Sequence, residues 1–243
     1  MKSIDTIYND YVNGNYHVDH FNEDVPLPEK VNLKNALFYY VNYIYHNKLN
    51  DNYFTFFKNN TLPVFIYVGR LIKSKKVDHL IHAFKNVNKP NQLCNLLIVG
   101  SGPDEEKLKG LAKNEIISKT IHFYGACYDE NIISNLIFKS ICTVSPGNIG
   151  LTVINSFSYG TPAITHGNFE NQMPEAEVIK EGVTGFLFIE NNIESLSKTL
   201  LKLINSKVNY KKNCRMVVDE IYNSKNQIRI LENIFNLPYF KNK

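Results

Sequence analysis

From Thr61 onward, short apolar runs alternate with stretches in which apolar residues return every three or four positions. The first run, Val64-Phe65-Ile66-Tyr67-Val68, predicts a strand. Behind it Val77, Leu80, Ile81, Phe84 and Val87 fall on one face of a helix. The second run, Asn95-Leu96-Leu97-Ile98-Val99, passes through Gly100-Ser101-Gly102-Pro103 into a helix whose first turn, Asp104-Glu105-Glu106, suits the positive end of its dipole. The same rhythm predicts strands at 120–124, 141–144, 162–165 and 185–189, with helices near 130–138, 150–159, 193–204 and 211–222. Six strands interleaved with helices predict an α/β fold, a Rossmann-like doubly wound parallel sheet with flanking helices. Such sheets bind ligands beyond the carboxyl ends of their strands, so the candidate site belongs to the loops that follow them.

Residues 1–60 do not keep this rhythm: only a short strand at Thr6-Ile7-Tyr8 and an aromatic, helix-like stretch from Ala36 to Tyr45 are suggested. The chain is therefore divided into a short N-terminal segment, 1–60, and an α/β domain with C-terminal helices, 61–243. With 44% hydrophobic and 21% charged residues, the composition excludes a disordered chain. Lys+Arg 27 against Asp+Glu 23 leaves +4 without a basic block, which argues against a nucleic-acid partner and for an anionic small molecule. Cys94, Cys127, Cys142 and Cys214 show neither zinc-ligand nor disulfide-framework spacing, as expected of reduced thiols in a cytoplasmic protein. No apolar core follows Lys2, and no run approaches the roughly 18 apolar residues that span a bilayer. Neither secretion nor membrane insertion is expected.

Three loops could carry chemistry. The first, Gly69-Arg70-Leu71-Ile72-Lys73-Ser74-Lys75-Lys76, puts cations just past a strand end: Arg70 offers a planar fork for phosphate oxygens and Lys75 a point charge. A solvated basic loop would look the same. The second, Gly100-Ser101-Gly102, begins a dinucleotide fingerprint but carries Glu105 at the third glycine position, so an NAD site is not supported. A tight turn allowing close strand-to-helix packing fits better. The third, Gly147-Asn148-Ile149-Gly150, exposes N–H groups ahead of a helix and suits an anion. Along that helix Thr152, Asn155, Ser156 and Tyr159 form one polar stripe, with Leu151 and Ile154 expected toward the core. Asn155 is placed to meet a sugar hydroxyl; a solvated helix face is the alternative.

Gly69-Arg70-Leu71 with Lys75, Leu97-Ile98-Val99-Gly100-Ser101-Gly102-Pro103, Phe123-Tyr124-Gly125, the Gly150-Leu151 helix, Gly160-Thr161-Pro162 and Glu181-Gly182-Val183-Thr184-Gly185-Phe186 occur in a telling order. They resemble the C-terminal, nucleotide-binding half of family 4 glycosyltransferases of the GT-B fold. Ser145-Pro146-Gly147-Asn148-Ile149-Gly150-Leu151, Thr165-His166-Gly167-Asn168-Phe169 and Gln172-Met173-Pro174-Glu175 look like its bacterial surface-polysaccharide branch. The resemblance implies that Arg70 and Lys75 are catalytic, holding and stabilising the donor diphosphate as it leaves. It implies a donor site lined by Gly69, Gly147, Asn148 and the main chain of Ile149, Gly150 and Leu151, with Cys127 and Asp129 beside the base. Neither metal nor other cofactor is implied. The family usually carries two glutamates where this sequence has Gly147 and Asn155, so recognition of the donor sugar falls to His166, Asn168 or Glu175. His166 could equally be a turn histidine with a structural use.

The implied activity is a metal-independent, retaining hexosyltransferase that moves a sugar from a nucleoside diphosphate sugar to a glycan or lipid-linked acceptor. The membrane would be touched at most peripherally, at its inner face. The family's acceptor domain has only residues 1–60 in its place, so a separate acceptor-domain chain is one expectation. The competing one is a nucleotide-sugar-binding module, or a subunit of a split enzyme, without turnover of its own.

Overall fold

A computed structural model describes residues 54–222 and, beyond them, residues 226, 228–230 and 233. The strand expected at Thr6–Tyr8 and the helix expected at Ala36–Tyr45 lie outside the described residues. Six strands, β1 (Val64–Val68), β2 (Asn95–Val99), β3 (Ile121–Gly125), β4 (Cys142–Ser145), β5 (Ala163–His166) and β6 (Gly185–Phe188), form one sheet in the order β3-β2-β1-β4-β5-β6. Every pairing is parallel. The connecting helices are α1 (Val77–Val87), α2 (Glu105–Leu111), α3 (Lys113–Ile117), α4 (Glu130–Lys139), α5 (Thr152–Ser158), α6 (Ile193–Ile204) and α7 (Lys211–Glu220). All six expected strands are present, and their ends move by a residue or so.

The continuous apolar runs have a direct cause: both faces of the central strands are buried, as a parallel sheet with helices on each side requires. In β1 and β2, Phe65, Tyr67, Leu96 and Ile98 enter the larger core with α1 and α6. Val64, Ile66, Leu97 and Val99 enter a second core with Leu136 and Ile137 of α4 and with Phe54 and Phe57. Each such side chain contributes about 1.5–3 kcal/mol by leaving water. Phe54 and Phe57 belong to this core, and Asn95 Nδ2 donates to Asn59 O at 2.7 Å, so the sheet domain begins ahead of the expected boundary at residue 61.

The order places β2 and β3 on one side of β1 and β4, β5 and β6 on the other. Strand order therefore reverses between β1 and β4, and the loops leaving these two strands flank the crevice that such a reversal opens. The hydrogen-bonded layer continues into those loops: Gly69 N donates to Val99 O (3.0 Å), Leu71 N to Ser101 O (3.0 Å) and Gly147 N to Lys75 O (3.1 Å). A Cβ on Gly100 would stand 1.8 Å from Gly69 O, and one on Gly102 2.3 Å from Leu71 O. These glycines allow two loops to touch backbone to backbone, a closer contact than the strand-to-helix packing expected of them.

Candidate functional site

At the strand-order reversal, a 3₁₀ turn at Lys73–Lys75 ends in Lys76, whose left-handed backbone (φ 51°, ψ 39°) turns the chain into α1. The turn brings the half-buried Lys75 across the crevice to the loop after β4. Its Nζ donates to Asn148 Oδ1 at 2.6 Å and to Asn148 O at 2.9 Å. Burial pulls the Lys75 pKa below its ordinary value. Beside it a Cβ on Gly147 would stand 2.3 Å from Ser74 O and 2.9 Å from the Lys75 Cα. No side chain fits there without displacing the loop. A glycine at position 147 is thus demanded by this backbone contact.

Arg70, on the same loop as Lys75, is exposed, and its carbonyl accepts from the Tyr67 hydroxyl at 2.8 Å. Gly69 lies in the backbone layer with Val99 and Gly100. Ile149 does not present its N–H to the crevice: the residue is buried, and the group donates to Gln172 Oε1 at 3.0 Å. Within this loop Asn148, Gly150 and Leu151 keep backbone N–H groups that have no hydrogen-bond partner among the described residues.

The face of α5 departs from expectation. Leu151 is 67% exposed, whereas Val153 and Phe157 are fully buried. Ser156, expected on the polar stripe, is also fully buried; its hydroxyl lies 2.6 Å from Thr143 Oγ1 and donates to Thr161 O at 2.9 Å. A hydroxyl that finds two partners inside can occupy a core position, which a polar-stripe count cannot register. Asn155 is exposed, as the stripe required.

On the loop after β3, Asp129 caps α4, accepting from Asn131 N (2.8 Å) and Ile132 N (3.3 Å). Cys127 is half-buried two residues earlier, its Sγ 3.8 Å from Asp129 O. His166, at the end of β5, is 1% exposed and packs edge-on against Phe188. Burial is the main cause holding its pKa below the ordinary histidine value. Its Nδ1, and Oε2 of Glu175, are buried polar atoms without a hydrogen-bond partner among the described residues.

Two side chains outside the expected set organise this edge. Gln172 Nε2 donates to Thr165 Oγ1 (2.8 Å) and His166 O (3.2 Å), while its Oε1 takes the Ile149 N–H. Glu190, just past β6, accepts from Lys76 Nζ (3.1 Å), Asn168 Nδ2 (2.8 Å) and Asn171 Nδ2 (3.0 Å), partners that hold its carboxyl at about 2. Asn168, a candidate for sugar recognition, is thus engaged with Glu190. The signal for both residues was position: Gln172 lies within the motif that carried Glu175, and Glu190 follows a strand end at the edge where the site was expected.

Among the described residues there is no group of three or more His, Cys, Asp or Glu able to hold a metal ion, and no helix long and apolar enough to cross a membrane. Residues 50–222 match the family model described as glycosyl transferases group 1. An uncharacterized glycosyltransferase of Haemophilus influenzae is 30% identical over 139 residues, which cover 57% of this chain and 38% of that protein. The chain spans less than half the length of this and of a second relative from Methanocaldococcus jannaschii. Among solved structures, S. aureus TarM, crystallised with UDP among its ligands, superposes with a TM-score of 0.63 at 19% identity, over 72% of this chain and 36% of its own. The C-terminal domain of the Francisella tularensis group 1 protein LpcC gives 0.59 at 19% identity, over 72% of this chain and 95% of that domain. At such identities the superpositions establish the α/β, Rossmann-like GT-B-type fold.

Proposed function

The chain belongs to the group 1 glycosyl transferases, and from that premise we propose that it binds a nucleoside diphosphate sugar where the loops after β1 and β4 meet and transfers the sugar to an acceptor. The observation that carries this reading is the half-buried Lys75 ammonium, brought across the strand-order reversal onto Asn148. Cleaving a glycosyl–phosphate bond builds negative charge on the departing diphosphate, and a fixed cation in a partly desolvated site stabilises that charge more than water would. On this reading Asn148 holds the ammonium in place while its remaining N–H meets the diphosphate, and the anion restores the Lys75 pKa that burial depresses. Arg70 closes on the phosphates from the exposed rim, and the N–H groups of Gly150 and Leu151 meet them from the β4 loop. We assign the neutralising charge to these groups and not to a resident metal, and we expect retention of anomeric configuration.

The sugar lies toward β5, where His166 Nδ1 and Glu175 Oε2 are the buried atoms that hydroxyls can satisfy. The base lies toward Cys127 and Asp129. The acceptor is a glycan or lipid-linked sugar, held by residues outside those described or by a separate chain, at the cytoplasmic face of the membrane. Gly147 favours a second reading, a binding module without turnover, because no side chain can project toward the donor sugar from that position. Incubating the chain with UDP-, GDP- and ADP-sugars and following release of the free nucleotide separates the two. Turnover supports transfer, binding without turnover supports the module, and absence of binding to every donor refutes both.

A further inference from the structure

Gln172 joins three pieces of the candidate site through one carboxamide. Its Oε1 accepts from Ile149 N–H (3.0 Å), and its Nε2 donates to Thr165 Oγ1 (2.8 Å) and His166 O (3.2 Å), with Gly147 O at 3.5 Å. The end of β5 is thereby tied to the loop after β4. Between Gly147 and Ile149 lies Asn148, whose two oxygens hold the Lys75 ammonium. Hydrogen bonds therefore link the end of β5 through Gln172 to the β4 loop, and that loop through Asn148 to Lys75.

The partners fix which residue can do this. Ile149 N–H needs an acceptor. Thr165 Oγ1 gives its hydrogen to Ser145 O (2.8 Å) or Gly147 O (3.1 Å), so toward residue 172 it only accepts, as does His166 O. The side chain at 172 must accept at one end and donate at the other, which an amide does and a carboxylate does not. With the amide in place the β4 loop is set before any ligand arrives, and binding need not order it. Granting the donor site proposed above, we infer that Gln172 is a positioning residue for that site: it fixes the β4 loop, and with it the grip of Asn148 on Lys75, without touching the donor itself.

A double-mutant cycle on the whole chain tests this, with affinity for UDP, GDP and ADP measured by calorimetry for wild type, Gln172→Met, Lys75→Met and the double variant, and folding followed by circular dichroism. Because Gln172 acts through Lys75, Gln172→Met weakens the tightest of the three nucleotides at least tenfold, while in the Lys75→Met background the same change costs less than twofold. A brace that merely supports the fold would give losses that multiply. Multiplying losses, or an unaltered affinity in Gln172→Met, overturns the inference while leaving the donor site standing. A wild-type chain that binds none of the three nucleotides overturns the donor site and the inference with it. Should Gln172→Met fail to fold, Asn148→Ala removes the next link and is judged by the same cycle: non-additivity with Lys75→Met supports the inference and multiplying losses overturn it.

Discussion

Adding one methyl group at Gly147 perturbs the site at its tightest backbone contact. The Cβ of Gly147→Ala would stand 2.3 Å from Ser74 O, where a carbon and a carbonyl oxygen ordinarily keep about 3.3 Å or more. One loop must therefore retreat by about 1 Å, because the obstacle is backbone, which cannot simply rotate away. Overpacking of this kind costs about 1–3 kcal/mol. Gly147 N donates to Lys75 O, and the next residue, Asn148, holds the ammonium, so the displacement is delivered to Lys75 itself. A misplacement of about 1 Å at a group that must meet reacting atoms can lower turnover by about a hundredfold. Urea denaturation should show a lower midpoint with an unchanged slope, and donor turnover should fall by more than the loss of folded protein explains. A variant with wild-type midpoint and wild-type turnover would show that the β1 and β4 loops are not in contact as described, and the reasoning would fail.

The remaining predictions concern the edges of the site. Asp129→Ala should destabilise the domain by about 0.5–2 kcal/mol through loss of the α4 cap, and Asp129→Asn should recover most of it; equal melting temperatures for all three chains would deny the cap. His166 has a folded-state pKa depressed by burial, so below the ordinary value of 6.5 the unfolded chain binds the proton that the native ring resists. Stability then rises with pH across that window and is lost as pH falls through it. Denaturation midpoints taken on both sides of neutrality should show a shallower acid loss in His166→Asn than in wild type, the shared contribution of His122 cancelling in the comparison. Identical slopes would contradict the depressed value.

The sheet was legible because its strands are buried on both faces: Val64–Val68 and Leu96–Val99 are apolar without interruption, and the helix after β1 shows its buried face in Val77, Leu80, Ile81, Phe84 and Val87. The helix α3 and the 3₁₀ turns at Phe169–Asn171 and Pro174–Val178 are too short to display a period. Within the candidate site, sequence position pointed to Lys75 and the Gly147–Gly150 loop, since both follow strand ends. Pairings across that reversal were not legible. Nothing local in the sequence connects Lys75 with Asn148, or Gln172 with Ile149, because those partners meet only once β1, β4 and β5 are side by side. The same cause explains Ser156 and Ile149: each looks available to a ligand in one dimension and is engaged by residues distant along the chain.

The central claim is that the Lys75 ammonium, with Arg70 beside it on the same loop, receives a diphosphate. Calorimetric titration of wild type, Lys75→Met and Arg70→Ala with a nucleoside diphosphate tests it most directly. Loss of a charge-assisted phosphate contact should weaken binding by about 1.5–3 kcal/mol in each variant. Affinities indistinguishable from wild type in both would contradict the claim.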